Sequence, residues 1–127
     1  MATILLDTSV IIDHLNSRRG RTEFLDGLVA QGHLLAACAA NFTEVYAGLR
    51  PGEESKTLTF LRSLEFCPVT KEIATQAGRL LREWQQKGQT LSFADVTIAA
   101  VAITNGLSLL TDNRKHFPMP ELKLWAG

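Results

Sequence analysis

Cysteine is scarce in this chain, neither sign of charge is in excess, and no apolar run is long. Each shortage narrows what the protein can be. The two cysteines, Cys38 and Cys67, lie in different apolar stretches and form no C-x-x-C pair. That excludes a disulfide scaffold and a cysteine-ligated zinc site, and it fits buried free thiols in a reducing compartment. Lys and Arg together number 13, as do Asp and Glu, so the formal net charge is zero. A nucleic-acid coat protein with a basic field is excluded, and any bound nucleic acid must be held by local contacts or through a cation. The longest near-continuous apolar stretch, residues 96–103, contains Thr97 and falls far short of a membrane span. The N-terminus reaches Asp7 without the basic start or the length of a signal peptide. A cytoplasmic protein without membrane contact is therefore expected.

What is present is ordinary globular material: 127 residues, 46% hydrophobic and 20% charged. One domain over 1–127 is expected, with a core built from two or three layers. Ile4-Leu5-Leu6 reads as a strand buried on both faces, ending abruptly at Asp7-Thr8-Ser9, a helix start. A polar break, Ser17 to Gly20, precedes a helix marked by Phe24, Leu25, Leu28 and Val29 that stops at Gly32. Leu34 to Cys38 reads as a second strand, and Asn41 as the N-cap of a helix running to Leu49. Leu58, Leu61 and Leu64 mark a fourth helix, followed by a short strand from Phe66 to Val69.

The spacing of Ile73, Ala77, Leu80, Leu81 and Trp84 predicts an amphipathic helix from Lys71 to about Gly88. Ser92-Phe93-Ala94-Asp95 has the form of a capping box, and the helix it opens is apolar nearly all round to Ile103, which requires a central position. Leu107 to Leu110 then reads as a buried strand, and Leu122 to Trp125 as an edge strand. Strands alternating with helices imply an α/β sandwich with a largely parallel sheet.

Ligands of such sheets bind beyond the carboxyl ends of the strands. Asp7 follows the first strand, Glu44 and Asp95 lie in the first turns of helices, and Asp112 follows a late strand. Four carboxylates in one crevice repel one another and need a compensating cation, and hard oxygen ligands select Mg²⁺ or Mn²⁺. Each acid taken alone has a plainer reading. Asp7 can cap a helix, Asp95 can serve only its capping box, Glu44 can be solvated, and Asp112 can belong to a turn.

Their order and surroundings are more specific. Ile4-Leu5-Leu6-Asp7-Thr8-Ser9-Val10-Ile11-Ile12-Asp13, Glu44-Val45-Tyr46-Ala47-Gly48-Leu49, Ser92-Phe93-Ala94-Asp95-Val96-Thr97-Ile98-Ala99-Ala100 and Leu109-Leu110-Thr111-Asp112-Asn113 with Phe117 occur in that sequence. Over essentially its whole length the chain resembles the PIN-domain family, and within it the VapC-type toxins of prokaryotic toxin–antitoxin pairs. The resemblance implies a PIN-like three-layer α/β/α sandwich and an endoribonuclease dependent on Mg²⁺ or Mn²⁺. It carries the family's three main acidic positions onto Asp7, Glu44 and Asp95. The fourth falls on Asp112 by ligand chemistry or on Asn113 by family spacing, with Thr8 and Thr111 as hydroxyls that orient carboxylates or water. It further implies an RNA substrate, a VapB-like antitoxin and a homodimer. Phe24, Leu28, Tyr46, Leu49 and Phe60 are candidates for an apolar partner face, with ordinary core packing as their default reading.

No nucleophilic side chain is needed for such chemistry. The serines lie outside any G-x-S-x-G context, and His14, His33 and His116 are scattered. His14 and His33 read as helix-end or surface residues, while His116, beside the last acidic block, is within reach of a phosphate. Arg18, Arg19, Arg21, Arg114 and Lys115 are the basic residues suited to RNA, solvated surface being the plainer reading of each group. Two rivals remain: a PIN fold that binds without catalysis, and an Asp-based phosphotransfer protein. The second expects further acids near the first strand, where Ser9 stands instead.

Overall fold

The computed structural model describes residues 1–126. Short strands alternate with helices: β1 (Thr3–Leu6), α1 (Thr8–Leu15), α2 (Arg21–Ala30), β2 (Leu34–Cys38), α3 (Ala39–Ala47), α4 (Glu54–Arg62), β3 (Glu65–Cys67), α5 (Lys71–Gln86), α6 (Phe93–Asn105), β4 (Ser108–Leu110) and β5 (Lys123–Leu124). All the strand pairs described are parallel, in the order β3-β2-β1-β4-β5.

Successive strand residues point to opposite faces. Ile4, Leu6, Leu35, Ala37 and Leu110 therefore pack under α1, α2, α3 and α4 with Val10, Ile11, Leu25, Val45 and Leu61. Leu5, Ala36, Cys38 and Leu109 pack on the other face, with Ile73, Ala77 and Leu80 of α5 and the whole run Val96–Ala102 of α6. Three layers result, as expected. Both sheet faces are covered, which is why the strands read as continuous apolar runs. Helix α6 is buried all round because α5 lies against it and the sheet lies beneath. The N-cap half of its predicted capping box forms, with the Ser92 hydroxyl accepting the Asp95 N–H at 3.0 Å.

Several boundaries differ from the sequence reading. Helix α3 starts at Ala39 with Cys38 as its N-cap, so Asn41 lies inside the first turn rather than capping it. The reason is a buried amide that is bonded three ways. Asn41 is fully buried. Its Oδ1 accepts the Cys38 N–H at 2.8 Å, and its Nδ2 donates to the Leu6 carbonyl at 3.2 Å and to Thr8 Oγ1 at 3.0 Å. The helix stops at Ala47, short of Leu49. Strand β3 covers Glu65–Cys67 rather than 66–69, because its register against β2 pairs Glu65 with Ala36 and Cys67 with Cys38. The predicted edge strand shrinks to Lys123–Leu124. Cys38 is buried as expected, whereas Cys67 is only half-buried; both are free thiols. Leu28, a candidate for the partner face, is buried, and Phe24, Tyr46 and Phe60 are partly buried against the same core. Among the described residues no helix is long and apolar enough to cross a membrane.

From β1 the chain winds outward to β2 and β3, and later returns to the other side of β1 as β4 and β5. The carboxyl ends of β1 and β4 therefore flank the topological switch point, where open α/β sheets hold ligands.

Asn41 ties the ends of β1 and β2 together, so Asn41→Ala strands a buried backbone N–H and is expected to cost about 3 kcal/mol of stability. Urea unfolding measures this. A loss below about 1 kcal/mol would show that the amide is not what joins the two strand ends.

Candidate active site

Asp7 ends β1 and caps α1 in one stroke. Its extended backbone, φ −69° and ψ 152°, turns the chain into the helix while Oδ1 accepts the Thr8 N–H at 2.8 Å. The other oxygen, Oδ2, accepts the Thr111 hydroxyl from the end of β4 at 2.7 Å and the Ser9 hydroxyl at 3.3 Å. Asp7 is buried, 5% exposed. The capping reading of this residue therefore holds, and its second oxygen is held by the end of β4.

Thr8 connects the next acid. Its hydroxyl donates to Glu44 Oε1 at 2.6 Å and accepts from Asn41 Nδ2 at 3.0 Å. Glu44 lies on α3, one and a half turns from its start, and is brought to the sheet end by that bond. Asp95 stands half-buried in the first turn of α6 with His116 Nδ1 3.5 Å from its Oδ2. Burial raises the Asp95 carboxyl above its ordinary value, and the negative charges of Asp7 and Glu44 raise it further; the Ser92 hydroxyl and His116 oppose the shift.

Asp112 is placed differently. Its carboxylate is paired with Arg21 Nη2, and Arg19 Nη1 lies 3.9 Å away. The Asn113 backbone N–H donates to Thr111 Oγ1 at 2.9 Å, so Thr111 links that turn to Asp7. His14 and His33 lie elsewhere: His14 bonds Thr22 at 3.0 Å and packs on Phe60, and His33 accepts the Ala2 N–H at 3.0 Å. Sequence reasoning missed Asn41 as the amide behind Thr8 and Arg21 as the partner of Asp112. An Asn three residues ahead of the second acid was the available signal for the first.

The PIN domain family model matches residues 4–120. The chain belongs to the PIN-domain family. It is 34% identical over 120 residues to Ribonuclease VapC19 of Mycobacterium tuberculosis, covering 94% of this chain and 96% of that protein. Ribonuclease VapC10 of the same organism is also 34% identical over 120 residues, covering 93% and 88%. Among solved structures, VapBC2 of Rickettsia felis, bound to a DNA fragment from its promoter, superposes with a TM-score of 0.83 at 26% identity over 97% of both chains.

The donors that this PIN domain gathers suit a hard divalent cation. Asp7, Glu44 and Asp95 offer carboxylate oxygens, and among the described residues neither Asp7 nor Glu44 has a lysine, arginine or histidine within ion-pair distance. No three Asp, Glu, His or Cys side chains among the described residues close into a ready-made shell.

The folded chain binds the Asp95 proton more tightly than the unfolded chain does, because the folded carboxyl is raised. Its stability contribution is full below the ordinary carboxylate value and is lost as pH rises through the raised folded value. In chelator at neutral pH, Asp95→Asn is therefore expected to melt higher than wild type, with the gap closing as pH falls through that window. Equal or lower melting at neutral pH contradicts the shared-charge account.

Proposed function

We propose that this PIN domain is an endoribonuclease, the toxin of a VapBC-type pair, acting on RNA with Mg²⁺ or Mn²⁺ and partnered by a VapB-like antitoxin and a second copy of itself in the cytoplasm. The observation that carries the reading is the network at the β1/β4 switch point, where Thr8 joins Asp7 to Glu44 and Thr111 bonds Asp7 from the end of β4. Relatives called ribonucleases at 34% identity over nearly the full chain support the activity, and the Rickettsia felis VapBC2 complex supports the antitoxin.

Asp7, Glu44 and Asp95 would hold the cation, with Asp112, which follows β4 and is paired with Arg21, as the fourth acid. When bound, such a cation would supply charge neutralisation for in-line displacement at phosphorus and make an attacking water more acidic. The chain's own residues do the rest. Thr111 and the Thr8 N–H fix both oxygens of Asp7, so the carboxylate cannot rotate away from the crevice. Thr8 fixes Glu44 in the same way, with Asn41 behind it to set the direction of the hydroxyl. His116 faces Asp95 from the 3-10 turn Arg114–His116, where an imidazolium would meet an incoming phosphate. Selectivity for one RNA falls to shape and unpaired bases, given a neutral chain.

Incubation of labelled RNA with the purified chain tests this. Cleavage is expected with Mn²⁺ and none after chelation. Asp7→Asn and Asp95→Asn are expected to abolish it with the fold intact by circular dichroism, and Thr111→Val to slow it by about 10- to 100-fold, as loss of a ligand-orienting bond does. Cleavage that survives thorough chelation would overturn the metal-dependent reading.

A further inference from the structure

The turn between α1 and α2 carries the only non-glycine residues with positive φ among those described, Ser17 at 52° and Arg19 at 56°, followed by Gly20 at 62°. Bulky residues enter this left-handed region rarely, and such a backbone persists where its surroundings over-determine it. Three main-chain bonds knit the turn: Ser17 N–H to the His14 carbonyl at 3.1 Å, Arg18 N–H to Asp13 at 2.8 Å and Arg21 N–H to Arg18 at 3.0 Å. One long-range contact fixes its position. Arg21, its side chain 11% exposed, pairs with Asp112 at the end of β4 and lies 5.5 Å from the Phe24 ring centre.

Arg19 is the residue this arrangement displays. Its side chain is 70% exposed, with Nη1 3.9 Å from Asp112 and Nε 4.0 Å from Asp13. Both distances give attraction without a hydrogen bond, so the guanidinium keeps its donors for anionic oxygens, which it meets in paired fashion. The path from Arg19 to the acidic crevice is short: Asp112 follows Thr111, whose hydroxyl is bonded to Asp7. Arg19 thus projects from a backbone tied to the end of β4, beside the turn that carries Thr111 and Asp112.

We propose that the α1–α2 turn is a phosphate clamp for the RNA strand. Arg21, locked on Asp112, holds the turn against the end of β4, and Arg19 at the rim receives a backbone phosphate beside the one lying over Asp7 and Asp95. This rests on the reading that RNA is the substrate. It makes Arg19 a substrate-binding residue, and Arg21 and Asp112 positioning residues that act through it.

Binding of a fluorescently labelled single-stranded RNA of mixed sequence, followed by anisotropy in chelator across a range of NaCl, tests the clamp apart from cleavage. Arg19→Ala is expected to weaken binding and to flatten the slope of log K against log salt by about 0.7, the value for one lost phosphate contact on a single strand. Its melting temperature should not move, since the side chain is exposed, and Arg19→Lys should restore most of the slope. Asp112→Asn should flatten the slope with Arg19 still present, and adding Arg19→Ala to it should cost nothing more. An unchanged slope in Arg19→Ala, with RNA still cleaved under Mn²⁺, overturns the clamp and leaves the nuclease reading standing. The lost slope in a chain that cleaves nothing under Mn²⁺ supports the clamp and overturns the nuclease reading. Failure of the wild-type chain to bind RNA overturns the clamp outright. An Asp112→Asn variant that keeps its full slope in chelator overturns the anchoring role.

Discussion

Like charges crowded at one end of a parallel sheet are the constraint around which this molecule is built. Asp7, Glu44 and Asp95 come from three separate segments; Asp7 is buried, Asp95 half-buried and Glu44 exposed, so the cost of desolvation falls on the first two. The fold answers with neutral donors. A threonine hydroxyl from β4 and a main-chain N–H serve Asp7, and the Thr8 hydroxyl serves Glu44. Hydrogen bonds of this kind stabilise the ionised carboxylates and fix their direction without cancelling their charge, which is what a cation-binding crevice requires. Helix N-termini at Asp7 and Ser92 add partial positive charge to the same place.

The arginines are kept to one side. Arg21 and Arg19 approach Asp112 and leave Asp7 and Glu44 without an ion-pair partner among the described residues. A guanidinium in the centre of the crevice would occupy the oxygens that a divalent ion needs. At the rim it serves the opposite purpose, drawing phosphate toward an end of the molecule that would otherwise repel it. The division between an acidic centre and a basic edge follows from Thr111 and Asp112 being neighbours, one bonded to Asp7 and the other to Arg21.

The layers were legible because burial on both sheet faces leaves an unmistakable trace: Ile4-Leu5-Leu6, Leu34 to Cys38 and the all-apolar face of α6 read directly as central elements. Asp7, Asp95 and Asp112 were legible for a similar reason, since each follows a strand or opens a helix, whereas Glu44, expected in a first turn, lies one and a half turns into α3. Asn41 was not. Its residue type favours an N-cap, and that local preference pointed to the wrong turn position; the groups that fix it, Leu6 and Thr8, are remote in sequence. The Arg21–Asp112 pair was hidden by the same separation, because an arginine in a polar break reads as solvated surface until the fold brings the end of β4 beside it. The lengths of β3 and β5 depend on register against neighbouring strands, which a run of three residues does not encode.

The central claim is that Asp7, Glu44 and Asp95 act as one cation-binding group in the folded chain. Titration of Mn²⁺ into the metal-free protein, followed by the loss of the free-ion signal in electron paramagnetic resonance, reads this directly. The account predicts saturable binding that disappears in both Asp7→Asn and Asp95→Asn and is displaced by Mg²⁺. Weak, unsaturable binding that is the same in wild type and both variants would contradict it.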